Sequence, residues 1–119
     1  MTDAIVLIDD LFFQAKLHET AKLTGVTLET VGTGEQLVKS AAASPAALII
    51  VDLNARQGAL QAVETLAASA SGNPRRVIAF LSHVQTDLAE RARAAGCQEV
   101  MPRSKFTHNL ADILRGAKS

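Results

Sequence analysis

Side chains that can do chemistry stand at or beyond the ends of the apolar segments of this chain. They are, in chain order, Asp9, Asp10, Asp52, Ser82, Arg103 and Lys105. Three carboxylates brought to one place repel one another, and their pKa values rise unless a cation lies among them. Mg²⁺, a hard cation that prefers oxygen ligands, suits such a set and leaves positions for water and phosphate. These residue types therefore predict a magnesium site.

The same residues suit phosphoryl transfer. A carboxylate at such a site can act as a nucleophile towards phosphorus and form an acyl phosphate. The hydroxyl of Ser82 and the positive charge of Arg103 or Lys105 can then bind the remaining phosphoryl oxygens. The residues alone leave the choice between the two basic side chains open.

The segments that must position these residues alternate between strand and helix. Apolar or β-branched runs predict strands over residues 4–8, 26–31, 46–51, 77–81 and 98–101. Helices are predicted over residues 11–23, 58–69, 85–95 and 106–115, and a further helix is predicted to open at residues 32–34 and to end before Pro45. Strands that are apolar at every position are covered on both faces, so the repeats predict an α/β fold with a doubly wound parallel sheet. We expect a flavodoxin-like (βα)5 arrangement of order 2-1-3-4-5, in which the ends of strands one, three and four are neighbours.

Composition excludes several classes of function. The 119 residues predict one domain over residues 1–119, and the formal net charge of zero argues against nucleic acid or an anionic membrane as the main partner. Four Phe with no Tyr or Trp leave little for base stacking or a flavin pocket. The one cysteine, Cys97, cannot form an internal disulfide, and no secretory signal or membrane span is evident, so we expect a cytoplasmic protein.

With these features the sequence resembles the receiver domains of response regulators in two-component signalling, over essentially the whole chain. The residues that carry the resemblance are Asp9, Asp10, Asp52, Ser82 and Gly96. The resemblance implies that Asp52 accepts a phosphoryl group from a histidine kinase or a phosphotransfer protein. The implied magnesium ligands are Asp9, Asp10, Asp52 and the backbone carbonyl of Asn54.

The resemblance also implies how the signal leaves the domain. Ser82 would relay phosphorylation to the surface of helix four and strand five, and Arg103 stands where the family has a lysine that pairs with the phosphoryl group. The domain would not be an enzyme and would signal by docking to a downstream protein. Whether it forms a homodimer is left open.

Several departures from the family favour an alternative function. The loop after Asp52 is short, and the other departures are His83, Val100 and Arg103 in place of the usual residues. Arginine is not equivalent to lysine, because its head group is larger, planar and forked. The alternative is a pseudo-receiver that is not phosphorylated and acts as a constitutive protein-interaction module.

Simpler structural roles are also open for some of these residues. Asp9 and Asp10 can cap the first helix, where carboxylates are favoured. The two basic side chains that follow strand five can be surface charges. Phe12 and Phe13 are predicted to pack in the core, and residues 32–34 are predicted to be a turn and helix start, since no Gly-Lys-Ser/Thr of a phosphate-binding loop follows them.

Overall fold

The structure is a computed structural model that describes residues 2–44, 46, 48–55, 58–69, 76–81 and 86–117. Within these residues five parallel strands form one sheet in the order β2-β1-β3-β4-β5. The strands are β1 (Ala4–Leu7), β2 (Leu28–Val31), β3 (Leu48–Asp52), β4 (Arg76–Leu81) and β5 (Glu99–Pro102). The predicted flavodoxin-like fold class and strand order are confirmed.

Helices connect the strands and cover both faces of the sheet. The described helices are α1 (Leu11–Thr24), α2 (Gly34–Ala43), α3 (Ala59–Ser69), α4 (Thr86–Ala95), α5 (Arg103–His108) and α6 (Leu110–Gly116). Alternate residues of a strand point to opposite faces, so each strand contributes to two separate cores. Along β1, Ala4 and Val6 pack with α1, α5 and α6, whereas Ile5 and Leu7 pack with α2, α3 and α4. No helix among the described residues is long and apolar enough to cross a membrane.

Two features of the helices differ from the expectations. The last helical segment begins at Arg103, directly after β5, and is divided at Asn109. Its first turn is polar, so the apolar pattern that begins at Phe106 does not reveal it. The prediction that Phe12 is a core residue is wrong, because this side chain is 93% exposed. The buried positions of α1 are four residues apart and begin at Phe13, which places Phe12 on the outer side of the helix.

Helices α2 and α3 approach closely at two glycines. A Cβ atom added at Gly34, the first residue of α2, would collide with the backbone carbonyl of Gly58 and would crowd the Cβ of Ala62. The nearest obstacle to a Cβ at Gly32 is the Oε1 atom of Gln36, at an ordinary 3.7 Å. Packing therefore requires glycine at position 34 but not at position 32.

We expect Gly34→Ala to lower the free energy of unfolding by about 1–3 kcal/mol, because the added methyl group forces the two helices apart. The matched control Gly32→Ala should change it by less than about 1 kcal/mol. Urea denaturation followed by circular dichroism measures both values. Equal effects of the two substitutions would contradict the proposed packing constraint.

Candidate functional site

Asp52 ends the third strand and is buried. Asp52 is 5% exposed, and no other charged or polar residue in the described part of the chain is buried. Within the sheet Asp52 is the partner of Phe80 on β4, which is also buried. The backbone N–H of Asn54 donates to Oδ1 of Asp52 at 2.9 Å, so the chain turns around the carboxylate as it leaves the strand.

Asp10 begins the first helix. Its Oδ1 atom accepts hydrogen bonds from the backbone N–H groups of Phe12 and Phe13, at 3.0 and 3.2 Å. The helix-capping role open to Asp10 is therefore confirmed. The same carboxylate also faces the site, since its Oδ2 atom accepts from Nη2 of Arg103 at 2.7 Å. This hydrogen bond and the amide of Phe13 lower the pKa of Asp10.

Arg103 is held by aromatic rings as well as by Asp10. Its guanidinium carbon lies 4.3 Å from the centre of the Phe13 ring and 6.0 Å from that of Phe80. Phe13 meets Phe80 and Phe106 edge-on, and the latter two rings are stacked with their centres 4.4 Å apart. A cation over an aromatic face is attracted by the ring's electrons, and most strongly where water is partly excluded. Two of the four phenylalanines in the chain thus face this cation, and a third, Phe106, packs against both of them.

The electrostatics of Asp52 reflect all of these neighbours. Burial is the largest influence and raises its pKa, because the charged form is poorly solvated there. The amide of Asn54 and the charge of Arg103 lower this pKa, whereas the charges of Asp9 and Asp10 raise it. The structure therefore brings the predicted acidic set and Arg103 to one edge of the sheet.

The remaining predicted site residues have different outcomes. Lys105 is exposed on α5, and no described contact joins its ammonium group to the carboxylates, so Arg103 is the cation that reaches them. Ser82 and His83 lie outside the described residues. The contact of aromatic rings with Arg103 was not expected from the sequence. The sequence does show that most of the phenylalanines lie near predicted strand or helix ends. That pattern does not reveal which of the rings contact one another.

In this arrangement the residues do not fit a divalent ion. Both oxygens of Asp10 are already hydrogen-bonded, and Oδ1 of Asp52 accepts the amide of Asn54. No group of at least three His, Cys, Asp or Glu side chains within the described ranges is placed to hold a metal. The set of carboxylates is chemically suited to Mg²⁺, but a guanidinium stands beside the oxygen that such an ion would use. The magnesium site remains a prediction.

Comparison with solved structures gives this chain the fold of response-regulator receiver domains. A receiver domain from Bermanella marisrubri superimposes with a TM-score of 0.79 at 16% identity, covering 100% of both chains. The receiver domain of a sensor histidine kinase from Pseudomonas aeruginosa, with magnesium coordinated in its active-site cleft, gives a TM-score of 0.80 at 20% identity, covering 98% of this chain and 97% of the other.

A third similar structure contains a phosphorelay partner. The receiver domain of Ssk1 from Saccharomyces cerevisiae, bound to the histidine phosphotransfer protein Ypd1, gives a TM-score of 0.78 at 16% identity, covering 93% of this chain and 84% of the other. No protein-family model matches the sequence. No curated protein matches it either. The fold is thus that of receiver domains, while the sequence is only 16–20% identical to these three structures.

The raised pKa of Asp52 predicts a distinct pH dependence of stability. The folded state binds the Asp52 proton more tightly than the unfolded state, so this group lowers the free energy of unfolding as pH rises from below 3.8 through its folded pKa. Asp52→Asn removes the buried charge and keeps an oxygen for the Asn54 amide. We expect this variant to be more stable than the native protein at neutral pH, with the difference vanishing in acid.

Urea denaturation at neutral and acidic pH measures this difference. Asp112→Asn is the control, because Asp112 is 81% exposed and pairs with Arg115 on the surface, where ion pairs contribute little. A lower stability of Asp52→Asn at neutral pH, or a gain that persists unchanged in acid, would show that burial of the charge is not the dominant influence.

Proposed function

We propose that the chain is the receiver domain of a phosphorelay and that Asp52 accepts a phosphoryl group from a phosphohistidine. The donor would be a histidine kinase or a histidine phosphotransfer protein. The observation that carries the proposal is a buried carboxylate at the end of a central strand, with two further carboxylates and a fixed cation acting on it. The receiver fold of the chain supports the same function.

The chemistry follows from the surroundings of Asp52. A carboxylate oxygen attacks phosphorus, the P–N bond to the donor imidazole breaks, and an acyl phosphate forms. Because Oδ1 already accepts the Asn54 amide, the second oxygen is the one that attacks. Poor solvation makes the Asp52 anion more basic and so a better nucleophile, provided that it is deprotonated. Arg103 supplies a planar set of N–H donors, which can pair with phosphoryl oxygens once they arrive.

The other predicted elements of the function are proposals of the same kind. Asp9, Asp10, Asp52 and the Asn54 carbonyl are the proposed magnesium ligands, and Ser82 is the proposed hydroxyl for a phosphoryl oxygen. These residues could hold Mg²⁺ only in an arrangement in which Arg103 no longer occupies Oδ2 of Asp10. We propose that the chain acts as one domain in the cytoplasm, signals to a downstream protein by docking, and is not an enzyme acting on a small substrate.

The surface beside Asp10 suits approach of a protein donor. Leu11 and Phe12, in the first turn of α1, are 77% and 93% exposed. A donor that delivers a phosphoryl group to Asp52 has to come to this edge of the sheet, where the N-terminus of α1 stands. Large exposed apolar side chains are typical anchors of protein interfaces.

The phosphorylation proposal predicts a covalent change that depends on one residue. Incubation with acetyl phosphate and Mg²⁺ should add one phosphoryl group to the native protein, detected by mass spectrometry of the intact chain. Asp52→Asn should show none of this addition, and Asp112→Asn should label like the native protein. Absence of labelling in the native protein, together with no spectral change on adding beryllofluoride, would favour the unphosphorylated interaction module instead.

The docking surface predicts a difference between protein and small-molecule donors. Phe12→Ala should slow phosphoryl transfer from a phosphorylated histidine phosphotransfer protein by about tenfold or more, because it removes an interface anchor. Its labelling by acetyl phosphate should be unchanged.

Leu23→Ala is the matched control for this surface. Leu23 is 80% exposed on the same helix and lies about 16 Å along it from Phe12. It should leave transfer from both donors unaffected. Equal slowing by the two substitutions would place the donor along the whole helix, and no slowing by Phe12→Ala would place it elsewhere.

A further inference from the structure

One atom, Oδ2 of Asp10, decides whether the acidic residues can bind a metal ion. Oδ2 of Asp10 points to the site, and it accepts the Nη2 hydrogen of Arg103 at 2.7 Å, while Oδ1 is used by two backbone amides of α1. A divalent ion bound to Asp10 would therefore come close to a guanidinium of like charge. Two cations that share this carboxylate would repel each other.

The guanidinium is held in place before any ligand arrives. Arg103 lies over the ring of Phe13, whose own position is set by edge-on contacts with Phe80 and Phe106. The Arg103 side chain is 32% exposed, so it is neither a freely moving surface charge nor fully buried. A planar guanidinium can stack on a ring and donate to a carboxylate at once, which an ammonium group does less well.

The charge of Arg103 acts on more than its direct partner. It also favours the ionised form of Asp52, against the repulsion from Asp9 and Asp10. One fixed side chain thus supplies positive charge to both the strand-end carboxylate and the helix-capping carboxylate. The need for a second cation at this edge is correspondingly lower.

We propose that Arg103 is the resident cation of this site and that a divalent ion binds there only after displacing it from Asp10. The two cations are then mutually exclusive at this carboxylate, and removal of the arginine strengthens metal binding. The proposal concerns the same edge of the sheet as the proposed function, but it does not depend on phosphorylation of Asp52. It holds equally for a receiver and for an unphosphorylated module.

Titration with MgCl₂ alone, without a phosphodonor, tests the proposal. Backbone amide shifts in NMR spectra report the affinity at the site and show that each variant is folded. Arg103→Gln should bind Mg²⁺ at least about tenfold more tightly than the native protein, and Arg103→Lys, which keeps the charge but loses the planar fork, should fall between them. Adding Asp10→Asn to Arg103→Gln should abolish the gain.

A charge-matched control separates this mechanism from a general electrostatic effect. Arg115→Gln removes the same charge from an arginine that is 61% exposed and paired with Asp112 on α6. It should bind Mg²⁺ like the native protein. Equal affinity of the native protein and Arg103→Gln, failure of both to bind, or an equal gain in Arg115→Gln would each overturn the proposal. The titration measures metal affinity, whereas the labelling experiment measures a covalent addition that depends on Asp52, so equal affinities or a gain in Arg115→Gln would overturn this proposal without contradicting phosphorylation.

Discussion

The burial of an acidic side chain, Asp52, is the constraint on which the arrangement of this edge of the sheet depends. Burial of an ionised carboxylate is costly unless hydrogen bonds and opposite charge compensate for it. The backbone amide of Asn54 offsets part of the cost, and Arg103 offsets another part from the junction of β5 and α5, two strands away in the sheet. The compensation is incomplete, since the pKa of Asp52 remains raised. Incomplete compensation leaves this carboxylate more basic than one in water.

Most of the few aromatic residues in this chain lie together, close to Arg103. Phe13, Phe80 and Phe106 come from a helix, a strand and a second helix and pack against one another, and the first two face the guanidinium. The same rings fill the core on one face of the sheet. Apolar packing and the position of the charge are therefore set by one group of residues. A substitution in this core would also move the cation.

The sheet and the identity of its acidic residues could be predicted, because strands apolar at every position and the polar residues after them are local patterns. Which side of α1 faces the sheet could not be predicted from the sequence. Phe12 and Phe13 are adjacent, and only the position of the sheet decides which of them is buried. The choice between Arg103 and Lys105 was open for a similar reason. Two residues along a helix turn a side chain by about 200°, so the start of α5 directly after β5 decides which one faces the carboxylates.

Asp10 connects these observations, because one carboxylate does two tasks. Its first oxygen completes the N-terminus of α1, and its second binds the first residue of α5. The charges at the starts of α1 and α5, on Asp10 and Arg103, both act on Asp52 at the end of β3. The two sets of hydrogen bonds use different oxygens of Asp10, so loss of the Arg103 contact would not by itself remove the cap of α1. The link between the two helices, and not the cap, is the contact that depends on Arg103.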